Sequence, residues 1–97
     1  MIIKGKSLHE ENGRKPYPLS SQDVVGKHFV VRVTGPDNPF EPHKHAEREI
    51  WFIVEGQAVI SLDGEDHTVE GGDLIELEPW SEHGLRTDDR VVWICMG

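Results

Sequence analysis

Cysteine is almost missing from this chain. Cys95 is the single one in 97 residues, which excludes an internal disulfide framework and fits a reducing cytosol. Basic residues are scarce as well, ten Lys plus Arg against eighteen Asp plus Glu, for a formal net charge of −8. That balance counts against nucleic acid or an anionic membrane as a partner, because both need a basic face. The longest apolar run, Ile50 to Val54, is far short of the roughly 20 residues a membrane span needs. Met1-Ile2-Ile3-Lys4-Gly5-Lys6 has no apolar stretch behind its positive charges, so no secretory signal is visible. No stretch keeps the 3.6-residue apolar period of a long helix. The expectation is one acidic, cytoplasmic domain of a size that supports a single core.

What is present is a series of short β-branched and aromatic runs. Strands are predicted at 28–34, 49–54, 57–62, 67–70, 73–77 and 90–95, each bounded by Gly, Pro, Asp or Asn. Asp63-Gly64 between two such runs predicts a tight hairpin, since these residues accept the positive φ the turn requires. Gly71-Gly72 breaks the chain before the next run. Residues 1–26 are polar and interrupted by Asn12-Gly13 and Pro16-Tyr17-Pro18. They read as an arm with at most one short strand, ahead of a single barrel domain over 27–97. Closely spaced strands without helices between them predict an all-β antiparallel barrel or sandwich.

The chemistry-bearing segment is Pro42-His43-Lys44-His45-Ala46-Glu47-Arg48-Glu49. If it is extended, His43, His45 and Glu49 point to one face, together with Trp51 and Ile53. Two imidazoles and a carboxylate converging in an enclosed space suit a divalent transition metal. His83, after the turn-like Glu78-Pro79-Trp80-Ser81-Glu82, is a candidate fourth ligand. His43, His45, Glu49 and Gly56 form a spaced pattern that arises by chance in on the order of 0.004 of shuffled chains of this composition.

From about Lys27 onward the sequence resembles a small single-domain cupin. His43, His45, Glu49 and Gly56 match the family's first motif, with Asp37 where its leading glycine stands. Gly72 and His83 have the separation of the second motif, while Glu78 stands for its proline, Trp80 for its inner glycine and Thr87 for its asparagine. The resemblance implies a jelly-roll barrel with one divalent metal (Mn, Fe, Ni, Co or Zn) held by His43, His45, Glu49 and His83. It also implies a homodimer, with the arm over 1–26 packed on its own barrel or on a partner's, and dioxygenase, isomerase or decarboxylase chemistry on a small molecule. The alternatives are a non-catalytic module for a sugar or carboxylate and a barrel with a vestigial site.

Other residues carry plainer expectations. Trp51, Phe52, Trp93 and Phe40 are assigned to the core, and Cys95 to a buried apolar position. His9, His28 and His67 are expected on the surface, His28 because it alternates against Phe29, Val31 and Val33. Trp80 is read as a packing residue or a pocket wall. Glu47, beside Arg48, reads as a solvated carboxylate or a partner of the metal ligands, and it and Glu78 are weak candidates for a general base.

Overall fold

A computed structural model describes residues 7–16 and 28–97. Among them are nine strands and no α-helix: β1 (Arg14–Pro16), β2 (Phe29–Thr34), β3 (Phe40–His43), β4 (Glu49–Glu55), β5 (Gln57–Leu62), β6 (Glu65–Glu70), β7 (Leu74–Leu77), β8 (His83–Arg86) and β9 (Val91–Met96). They form two antiparallel sheets, one ordered β1-β2-β9-β4-β7 and the other β3-β8-β5-β6. The all-β expectation is met.

Local chemistry accounts for most of these elements. Asp63 and Gly64 both adopt positive φ, 49° and 85°, and close the β5–β6 hairpin as expected. Asn12 and Gly13 do the same at 55° and 71°, so Glu11 and Arg14 exchange two backbone hydrogen bonds of 3.0 Å. What reads in sequence as an interruption is therefore a turn that feeds β1 onto β2 of the same barrel. The remainder of the arm, and with it the expectation that it crosses to a partner, lies largely outside the described residues.

The inner faces of the two sheets enclose the core. Trp51, Ile53, Ile60, Val91 and Trp93 have no exposed surface, and Leu77 and Leu85 almost none. Each such side chain contributes about 1.5–3 kcal/mol by leaving water. The Trp93 indole N–H donates to Thr34 Oγ1 at 2.9 Å, which satisfies both polar groups inside the core. Phe52, assigned to the core from sequence, is on the opposite face of β4 from Trp51 and Ile53 and is only half-buried. Phe40 is also partly buried but packs against the core from β3.

Candidate metal centre

Three strands and the segment joining two of them deliver the four predicted side chains to one end of the barrel. His43 closes β3, Glu49 opens β4, and His83 opens β8 directly opposite His43 in the ladder. His45 lies between β3 and β4, outside any strand. A continuously extended segment, the expectation from sequence, would align His43, His45 and Glu49 by parity. The chain instead leaves β3 after His43, and the turn through 44–48 brings His45 back beside Glu49. The ladder between β3 and β8 contains a bulge: Phe40 faces Leu85 and His43 faces His83, three residues apart on one strand and two on the other. This extra residue lets Phe40 and His43, of opposite parity, share one face. Their rings meet at 4.7 Å.

The resulting cluster is compact. Ring centroids are 4.6 Å apart for His43 and His83, 4.8 Å for His45 and His83, and 5.6 Å for His43 and His45. One nitrogen from each imidazole falls within 4.8 Å of the others. Glu49 Oε1 lies 3.4 Å from His45 Nε2 and 3.8 Å from His83 Nε2. It also accepts a 3.2 Å hydrogen bond from the Trp51 indole N–H.

Hydrogen bonds orient the rings. His43 Nδ1 sits 3.0 Å from the Glu41 carbonyl and His83 Nδ1 2.9 Å from that of Ser81. A carbonyl only accepts, so in the neutral form of either ring the proton is on Nδ1 and the Nε2 lone pair is left for another partner. His83 is 1% exposed, yet its Nε2 has no hydrogen-bond partner, and neither does the buried Nδ1 of His45. Leaving such atoms unsatisfied costs about 1–3 kcal/mol each. Burial pushes the His83 pKa down; the neighbouring His43 and His45 add to this, against the Ser81 carbonyl and Glu49. The ring is thus held neutral, the form that donates a lone pair to a cation. Three imidazoles with one carboxylate fit a first-row divalent metal.

The sequence profile of the cupin domain family (cupin-2) matches residues 29–97. The chain is a cupin. It is 30% identical over 68 residues to a dimethylsulfoniopropionate lyase of Ruegeria pomeroyi, covering 68% of this chain and 45% of that protein. It is 29% identical over 68 residues to a gentisate 1,2-dioxygenase of a Streptomyces species, covering 67% of this chain and 19% of that one. The cupin therefore spans less than half the length of these curated relatives. Among solved structures, it superposes with a TM-score of 0.83 on a predicted oxalate decarboxylase from Thermotoga maritima, at 19% identity over 99% of this chain and 96% of that one. A cupin-2 conserved barrel protein from Salinispora arenicola gives 0.72 at 24% identity, over 99% and 85% of the two chains. These likenesses establish the barrel fold.

Trp80, where the motif has glycine, adopts φ 65°, the left-handed conformation glycine takes without strain. Its N–H donates to the His45 carbonyl at 2.8 Å, tying the turn to the segment that carries His45. The indole is 64% exposed, so it neither packs in the core nor walls the cluster. Gly84, between His83 and Leu85, has a steric role. A Cβ there would lie 2.9–3.0 Å from the Pro42 nitrogen and the Phe40 carbonyl oxygen, where β3 crosses closest. Glu78 is drawn away from the site by Arg48, whose guanidinium grips both carboxylate oxygens at 3.0 Å. Glu47 is largely exposed, 3.6 Å from His45 Nδ1.

His28 corrects the sequence reading. It does lie on the opposite face from Phe29, Val31 and Val33, but that face is the inner one and not the surface. Its Nε2 is 3.1 Å from Glu49 Oε2 and 3.3 Å from Cys95 Sγ. The inner face of β2 is the even-numbered one, with Val30 and Thr34 each 3% exposed, while Phe29, Val31 and Val33 face outward and are only half-buried. Apolar residues on both faces of β2 concealed which was inside. Glu49 is therefore addressed on both oxygens, by the His45–His83 side and by His28. His9 and His67 are on the surface as expected, each beside an exposed glutamate.

Burial, then the charge of Glu49, pushes the Cys95 thiol up to about 12. An unfolded thiol ionises near 8.5. The stabilisation tied to the neutral thiol is therefore complete below that pH and is lost as pH rises toward 12. Native protein at pH 8 is expected to resist alkylation by iodoacetamide, with denatured protein labelled in minutes. Rapid labelling of the native form would show that Cys95 is neither buried nor protonated.

Proposed function

We propose that this cupin holds one divalent transition metal through His43, His45, Glu49 and His83 and is an enzyme acting on a small organic molecule. Oxygenase, lyase or decarboxylase chemistry is the class to test. The observation that carries the reading is the buried His83 Nε2, left without a partner among two further imidazoles and a carboxylate. The names of the lyase, dioxygenase and decarboxylase relatives support the reaction classes. A bound metal supplies Lewis-acid or redox chemistry to a substrate oxygen. The chain's own contributions are positional. Trp51 N–H and His28 Nε2 hold the two oxygens of Glu49. The Glu41 and Ser81 carbonyls hold the rings of His43 and His83. His43, the most solvent-accessible of the three histidines, marks the side from which substrate arrives.

The test is elemental analysis of protein as purified, followed by dioxygen uptake and product analysis on Fe- and Mn-loaded protein. The panel is made of diketones, catechols, thiols and small organic acids. Turnover that disappears on chelation and returns with metal is expected. Full occupancy with ligand-dependent thermal shifts but no product would instead favour a binding module.

We also propose a cytoplasmic homodimer. The outer face of the five-stranded sheet carries Val31, Ile50, Phe52, Ile94 and Met96, all half-exposed, beside the more exposed Leu74. In register, Val31, Ile94, Phe52 and Leu74 run as one stripe across four strands. An apolar patch of this kind marks an interface. Phe52→Lys is expected to shift the protein from dimer to monomer in light scattering, with unchanged metal content. A monomeric wild type would overturn the assignment.

A further inference from the structure

Arginines in this acidic chain are mostly neutralised. Of the five, Arg48, Arg86 and Arg90 pair with Glu78, Asp66 and Glu55 at 2.8–3.1 Å. Arg14 and Arg32 have no such partner among the described residues. They are also direct neighbours across the β1–β2 ladder, and so share one side of the sheet. Like charges placed opposite each other destabilise a strand pair unless something lies between them. Arg32 points inward from β2. Its guanidinium carbon is 4.6 Å from the centre of the Phe40 ring and 5.6 Å from that of Trp93, and its Nε is buried without a hydrogen-bond partner. Burial lowers its pKa, with the nearby charge of Arg14 adding to this and Cys95 and Glu49 opposing it.

An aliphatic side chain would fill this space between two aromatic rings without placing an unpaired charge there. A guanidinium stacked on ring faces keeps its N–H edge free, in the planar fork that matches a carboxylate. A cavity of about 180 Å³ opens beside it, lined by Arg32, Thr34, Asn38 and Phe40 among others. The same Phe40 ring that touches the guanidinium lies 4.7 Å from the His43 imidazole. One aromatic ring thus contacts both the unpaired cation and the proposed metal cluster.

We propose that Arg32, assisted by Arg14, is the specificity-determining group for a small organic acid, holding its carboxylate while another part of the molecule faces the His43–His45–His83 cluster. This names the substrate class for the function proposed above and rests on that reading for the position of the metal. The acid is small because its carboxylate and reacting end must both fit around Phe40.

The test is calorimetric binding of glycolate, pyruvate and salicylate, each against its uncharged amide. It is carried out with inorganic phosphate as a competitor, on metal-loaded and metal-free full-length protein. At least one acid is expected to bind wild type about tenfold or more tighter than its amide. Arg32→Met is expected to lose roughly tenfold to a hundredfold in affinity for that acid with little change for the amide. Arg32→Lys keeps the charge and the stacked volume, guards against a folding artefact in Arg32→Met, and is expected to retain part of the preference. Arg14→Gln, on the exposed edge strand, is expected to lose about threefold. Equal binding of acids and amides, no binding of any acid, unchanged affinity in Arg32→Met, or phosphate outcompeting every acid would each overturn the assignment. An acid preference that survives chelation in a protein retaining no metal would sink the metal reading while leaving Arg32 its role. A stoichiometric metal without acid preference would do the reverse.

Discussion

His83→Ala protein, purified beside wild type, is expected to retain almost no metal, with affinity reduced on the order of a hundredfold or more. His83 is the most buried member of the cluster, its Nδ1 is committed to the Ser81 carbonyl, and its Nε2 has nothing but the cluster to face. His45→Ala, at a half-buried site, should give the same metal loss with a smaller effect on folding, which separates lost ligation from lost packing. Calorimetric melts provide a second readout. A metal that binds only the folded state adds about 2.7 kcal/mol of stability at a hundredfold excess over its Kd. That increment should be present in wild type and missing in both variants. Retention of stoichiometric metal by either variant would refute the ligand assignment.

The parts of this fold legible in sequence are those governed by local chemistry. The bounds of Gln57–Leu62 are the same in sequence and structure because alternation and the Asp63-Gly64 turn both act over a few residues. The strands β3 and β8 had no comparable signal. Phe40-Glu41-Pro42-His43 contains a proline and His83-Gly84-Leu85-Arg86 a glycine, and both types disfavour strands on their own. Their extension is imposed by long-range pairing, β8 lying between β3 and β5. The four candidate ligands stand out in sequence because residue type and spacing carry that information. Strand parity does not align three of them, since His45 lies in a turn and a bulge re-aims His43. His28 was concealed for a related reason: alternation shows that a strand has two faces, and only the packed barrel decides which is inside. Arg32 shares that hidden face, and nothing in the sequence singles it out.

Trp51→Ala is expected to reduce stability by about 3–5 kcal/mol, a large part of what a domain of this size possesses. The indole is fully buried, with ring centroids 4.6 Å from Trp93, 5.3 Å from His83 and 5.4 Å from Phe40. β4 is hydrogen-bonded on both sides, to β7 and β9, which limits how far its backbone can move into so large a void. Trp51→Phe separates this packing from the hydrogen bond to Glu49. It retains most of the ring volume but deletes the N–H that holds Glu49 Oε1 at 3.2 Å. A loss of about 1–3 kcal/mol is expected in the metal-free protein, because the carboxylate is 7% exposed and loses one of its donors. Metal affinity should then fall roughly tenfold, as for other groups that orient a ligand from behind. If Trp51→Phe weakens folding yet leaves metal affinity unchanged, the indole serves the core alone. Glu49 would then be positioned by His28 from its other oxygen.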